Sequence, residues 1–158
     1  RMMLLVSLAV LCGCAADDAP PLRNQTVAGD FSLSVHVAGD GHDPEPMRRR
    51  AQFVVQPDRM LRLATGPAAS PDTFPRPYRR LSPAEFASLY ELVARNHLLA
   101  EPTSPIAAGS EADDQAVILR VAITAGGRTN RYATTAAESP PTAALLARLV
   151  ALIEKETW

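Results

Sequence analysis

The sequence predicts an α+β domain: an antiparallel sheet of about five strands with two helices on one face, in the order β-β-β-α-β-β-α. Three observations carry this expectation. Apolar and polar residues alternate without a miss from Phe31 to Val37, the pattern of a half-buried strand. Ser82-Pro83-Ala84-Glu85 joins an N-cap, a proline at the first helical position and a reciprocal glutamate, which together mark a helix start. A second hairpin pattern, Ala116 to Ala133, is again followed by helical spacing. Hairpin-linked strands closed each time by a helix fit an antiparallel sheet covered on one side.

Taken in order, the first strand turns Phe31, Leu33, Val35 and Val37 inward and leaves Ser32, Ser34 and His36 on the polar face. The segment Gly39 to Pro46 is rich in Gly, Asp and Pro and reads as a connection. Ala51 to Gln56 and Met60 to Ala64 read as two strands joined at Pro57-Asp58-Arg59, where Pro presets the turn. The first helix places Phe86, Leu89, Tyr90 and Val93 on one stripe and stops near Asn96. Val117, Leu119, Val121 and Ile123 then define a strand face, and the glycines of Ala125-Gly126-Gly127-Arg128 suit a hairpin turn. Thr129 to Ala133 is the return strand. Pro140-Pro141 opens the last helix, Thr142 to about Glu156, with Leu145, Leu146, Leu149, Leu152 and Ile153 as its stripe.

Composition removes several classes of function. The chain has 158 residues, so one domain of ordinary size fits and two do not. Lys+Arg 16 against Asp+Glu 17 gives a net charge of −1, and no overall field recruits nucleic acid. The 2 cysteines, Cys12 and Cys14, both precede the domain, which excludes a disulfide scaffold, a cysteine-rich zinc site and a thiol nucleophile in its body.

Those cysteines close an uncharged run from Met2 to Ala16 that follows Arg1. A bilayer-spanning helix needs roughly 20 apolar residues, so the run is short for an anchor and has the shape of an export signal. Leu11-Cys12-Gly13-Cys14 resembles the lipobox of bacterial lipoproteins, which has Leu at −3, a small residue at −1 and an invariant Cys at +1. The resemblance covers residues 1–16 and implies cleavage between Gly13 and Cys14, lipidation of Cys14, and insertion of its acyl chains into a membrane. Cys12 stands where the family usually has a small or hydroxylated residue. Ala15 at +2, where an Asp would retain the protein at the inner membrane, implies sorting to the outer membrane, facing the periplasm. The chain does not begin with Met, and its start is expected to be incomplete or its start codon misassigned. Residues 1–13 are thus read as signal peptide, 14–27 as a flexible tether and 28–158 as the domain. About 13 tether residues at ~3.3 Å each reach at most ~40 Å. The element order on such a signal also resembles that of small lipoprotein domains of unknown function.

Catalytic chemistry finds little footing. Gly-x-Ser-x-Gly and Ser-x-x-Lys are missing from the sequence, and its single lysine is Lys155. His42 lies among Asp40, Asp43 and Glu45, and Glu111, Asp113 and Asp114 form a second acidic loop, but neither has the spacing of zinc or calcium ligands. The expectation is therefore no metal, no cofactor and no catalysis, with a tethered enzyme or enzyme inhibitor using a loop near His42 as the alternative. One connector stands out. Five of the 14 prolines fall between Gly66 and Pro83, where Phe74 and Tyr78 interleave with Arg76, Arg79 and Arg80. With Arg48, Arg49 and Arg50 these residues would make a cationic, aromatic surface at one end of the domain, suited to an anionic envelope component or protein. Export argues against nucleic acid as that partner.

Overall fold

The computed structural model describes residues 26–70, 72–100, 117–154 and 157. The signal peptide, Gly13, Cys14, most of the tether, the acidic loop at Glu111 and Lys155 lie outside the described residues. The elements are β1 (Ser32–Ala38), β2 (Ala51–Val55), β3 (Met60–Thr65), β4 (Arg76–Arg80), α1 (Pro83–Arg95), β5 (Ile118–Ala125), β6 (Arg128–Thr135) and α2 (Pro140–Val150). The six strands form one sheet in the order β4-β3-β2-β1-β5-β6, antiparallel throughout.

Strand register makes the core. Leu33, Val35 and Val37 of β1 lie opposite Val55, Phe53 and Ala51 on one side and Ile123, Val121 and Leu119 on the other. All nine are buried, and Leu61, Leu63 and Tyr132 extend the row. Phe86, Leu89 and Val93 of α1 and Leu145, Leu146 and Leu149 of α2 join the same cluster. Both helices therefore cover one face of the sheet, as the alternation predicts. Phe31 ties the start of β1 to α1, with its ring 5.2 Å from those of Phe86 and Tyr90.

The helix signals are realised atom by atom. Ser82 Oγ accepts the Glu85 N–H and the Glu85 carboxylate accepts the Ser82 N–H, a complete capping box. At the other end His97 takes φ 55°, and its N–H reaches Ala94 while that of Leu98 reaches Val93. These are the two bonds of a Schellman stop, with buried Leu98 and Val93 as its apolar pair. Arg59, φ 69°, closes the β2–β3 turn in the same left-handed region. Gly126 and Gly127 are left-handed as expected, and both donate N–H at 2.7 Å to the carboxylate of Asp30, whose pKa is held down by these two bonds.

Two expectations are corrected. The sheet has six strands, not about five, and the order is β-β-β-β-α-β-β-α, because Arg76–Arg80 is a strand and not part of a connector. Its Arg-Pro-Tyr-Arg-Arg sequence carries no alternation. Proline is tolerated because β4 is an edge, and a register shift between Leu61 and Arg62 breaks the period. The second correction is that α2 ends at Val150, short of Glu156. Leu152 and Ile153 remain buried just beyond it. Backbone groups there find partners on β4: Arg79 Nε donates to the Leu152 carbonyl and the Glu154 N–H donates to Tyr78 Oη. These bonds substitute for a further helical turn.

Candidate functional site

The outer face of the sheet differs from the inner one in charge as well as polarity. None of the six strands contains Asp or Glu, whereas Arg62, Arg120 and Arg131 all fall on outward register positions, opposite Val54, His36 and Ala122 respectively. Among the described residues, none of these three arginines forms an ion pair with an acid. Arg62 is held by neutral acceptors, donating to Gln56 Oε1 at 2.7 Å and to the Pro75 carbonyl at 3.2 Å.

Part of this face is covered by the described residues of the β3–β4 connection, 66–70 and 72–75, which fold back as a flap. It starts with a short 3-10 turn, Gly66–Ala68, entered through a left-handed Gly66. Gln52, buried on β2, pins it. With its amide nitrogen turned toward the flap, Gln52 donates to the carbonyls of Ser70 at 2.8 Å and Thr73 at 2.9 Å. Phe74 at the flap's outer end is 61% exposed, and the Arg62 guanidinium lies 4.7 Å from its ring centre.

Beneath the flap lies His36, next to Gln52 on β2 and Arg120 on β5. It is 8% exposed, and neither ring nitrogen has a hydrogen-bond partner. Burial pushes its pKa below the usual histidine value, and the charges of Arg120 and Arg50 add to that. The Ala69 carbonyl opposes the shift without completing a hydrogen bond. His36, Ala38, Arg50, Pro67, Ala69 and Ser70 line a cavity of about 420 Å³. A second, larger one of about 670 Å³ runs along the other side of the flap, past Thr73, Phe74 and Arg76.

The residues singled out from sequence do not form one cluster. Arg50 precedes β2 at the sheet end where Ala51 pairs with Thr65, and Arg76 opposite Leu63 begins β4 at that same end. Arg80, opposite Met60, lies at the other end, with Arg79 beside it. Several of these guanidinium groups are engaged locally. Arg48 pairs with Asp43 at 3.3 Å, Arg49 donates to the Asp43 carbonyl, and Arg50 donates to that of Gly39. Arg79 binds Glu85 through both terminal nitrogens, at 2.8 and 3.1 Å, which holds the Glu85 carboxyl down at about 2. Arg80 is 3.9 Å from Asp58. Tyr78 turns toward the end of α2, its hydroxyl 3.3 Å from that of Thr157. Phe74 and Arg76 thus remain together at the exposed flap exit, while the arginines that join them come from the outer face.

His42 is exposed on the β1–β2 turn, its backbone N–H donating to Asp40, while the Asp43 carboxylate takes Arg48 and the Glu45 N–H. Among the described residues no group of three His, Cys, Asp or Glu is arranged to hold a metal ion, and no helix is long and apolar enough to cross a membrane. The sequence does reveal that His36 faces away from the core. Its burial depends on the flap, and alternation within β1 carries no trace of that. In comparisons with known proteins, no family model matches the chain and no curated protein shows significant similarity to it.

Proposed function

We propose that this chain is a lipoprotein of the cell envelope, anchored through acylated Cys14 and sorted to the outer membrane, whose domain is a non-catalytic binding or scaffold module for an anionic partner. The observation that supports the binding reading is the charge of the outer sheet face. Six strands without an acid present Arg62, Arg120 and Arg131 outward, and Phe74, against Arg62, continues this surface at its flap edge. Like charges gathered on one face attract an anionic polymer or protein over about a Debye length, ~8–10 Å at physiological salt. The anchor reading is supported by the lipobox-like residues Leu11 to Cys14. One acyl chain binds a membrane only marginally, whereas two or more on a single Cys hold a protein there stably.

Two experiments test the two halves. Palmitate labelling should mark the wild-type chain and not Cys14→Ala; label retained by the variant would refute the anchor. In-cell crosslinking should recover an envelope component whose capture is lost when Arg62, Arg120 and Arg131 are replaced by Gln. Capture unchanged in that variant would refute the outer face as the binding surface.

A further inference from the structure

We propose that the cavity under the flap is a binding site for one small oxyanion, a free sulfate, phosphate or carboxylate, with Arg50 and Ser70 of its lining as binding groups, Arg120 adding positive charge beside His36, and His36 as a donor that comes into play on protonation. The proposal goes beyond capture of a larger partner by the outer face: the cavity of about 420 Å³ has room for a small ion and its hydration.

His36 is the reason to look here. A buried polar group is nearly always hydrogen-bonded, and leaving one unpaired is unfavourable. This ring has two such atoms, neither of which reaches solvent under the flap, on a side chain that a cross-strand position between Gln52 and Arg120 would equally allow to be apolar. Every charge facing it from the neighbouring strands is positive: Arg120 from β5 and Arg50 from the start of β2. Of the described flap residues, only Asp72 is charged, and it is exposed. Neither Arg50 nor Arg120 has an acidic partner among the described residues. An oxyanion beside the ring would supply the missing negative charge and accept from the Arg50 guanidinium, the Ser70 hydroxyl and, once the Ala69–Ser70 stretch gives way, a ring N–H. The same ion would favour the imidazolium, so binding of proton and oxyanion should be reciprocally coupled.

The test follows the His36 ring by NMR in the full chain in non-ionic detergent, with sulfate as the probe because its charge is constant across the titration. Saturating sulfate should raise the His36 midpoint by one unit or more, equivalent to at least tenfold tighter binding to the protonated protein. Arg50→Gln should weaken sulfate at least tenfold, and His36→Gln should remove the pH dependence of its affinity. Arg62→Gln and Arg131→Gln, which alter the rest of the outer face, should leave it unchanged. Melting temperatures of all variants verify folding. An unmoved midpoint, the same shift produced by chloride at equal ionic strength, or equal losses in Arg62→Gln and Arg50→Gln would overturn the proposal. Because the readout is the pocket ion alone, it can fail while capture by the outer face stands.

Discussion

The two faces of the sheet share every strand and every backbone hydrogen bond, yet their side chains obey different rules. On the inner face the buried strand positions are apolar or paired. Tyr132 Oη meets Thr142 Oγ1 at 3.0 Å, and Asn130 donates to the Leu98 carbonyl at 2.8 Å, so even its polar residues have partners. On the outer face a histidine is buried with both nitrogens unpaired, between arginines that lack acids. Stability alone explains the first arrangement and would have removed the second. Local rules broken without a structural gain tend to mark where a protein is selected for something other than folding.

Substitutions can break this contrast from either side. The largest effect is expected inside: Leu89→Ala, at a fully buried position of α1, should cost ~2–5 kcal/mol in denaturant unfolding. Arg131→Gln on the exposed outer face should stay within about 0.5 kcal/mol of wild type. A comparable loss in both would erase the distinction between the faces.

A smaller effect is expected where the helical layer meets the edge strand. Glu85→Gln removes the charge that pairs with Arg79 and weakens one arm of the capping box, for about 1 kcal/mol in total. Its pH dependence has a definite sign. The folded pKa of Glu85 lies below the unfolded one, near 2, so its contribution is complete above about 4.5 and disappears as the pH falls toward 2. The variant should therefore lose less stability than wild type across that acid range, as measured by thermal melts. In the opposite direction, His97→Gly should raise stability by up to about 1 kcal/mol, since the left-handed stop of α1 strains any residue with a Cβ.

Much of the inner face was legible in the chain. Alternation assigned Phe31, Leu33, Val35 and Val37 inward, the 3.6-residue spacing assigned both helical stripes, and Ser82-Pro83-Ala84-Glu85 located the start of α1 to the residue. These signals are local, and burial of one continuous face enforces them. The fourth strand was illegible because an edge strand needs only one paired side and a shifted register scrambles its period. The helix end at Val150 depends on Tyr78 and Arg79, more than seventy residues away in sequence. The basic surface was only half legible. Composition shows the arginines, but register decides that Arg79 and Arg80 lie at the opposite end of the sheet from Arg50 and Arg76, and that Arg62, Arg120 and Arg131 share a face. His36 was readable as outward-facing and unreadable as buried, because its cover comes from the flap.

The claim that His36 is held against the interests of folding can be tested by urea unfolding of His36→Leu beside wild type, in chloride buffer at pH 7.5 and 5.5. Replacing two unpaired buried nitrogens with an apolar side chain of similar size should stabilise the protein by about 1 kcal/mol at pH 7.5. The folded pKa of His36 lies below its unfolded value, so wild type loses stability as the pH falls below about 6.5, and the advantage of the variant should widen at pH 5.5. A variant less stable than wild type, or a gap that ignores pH, would contradict the account and make His36 an ordinary structural residue.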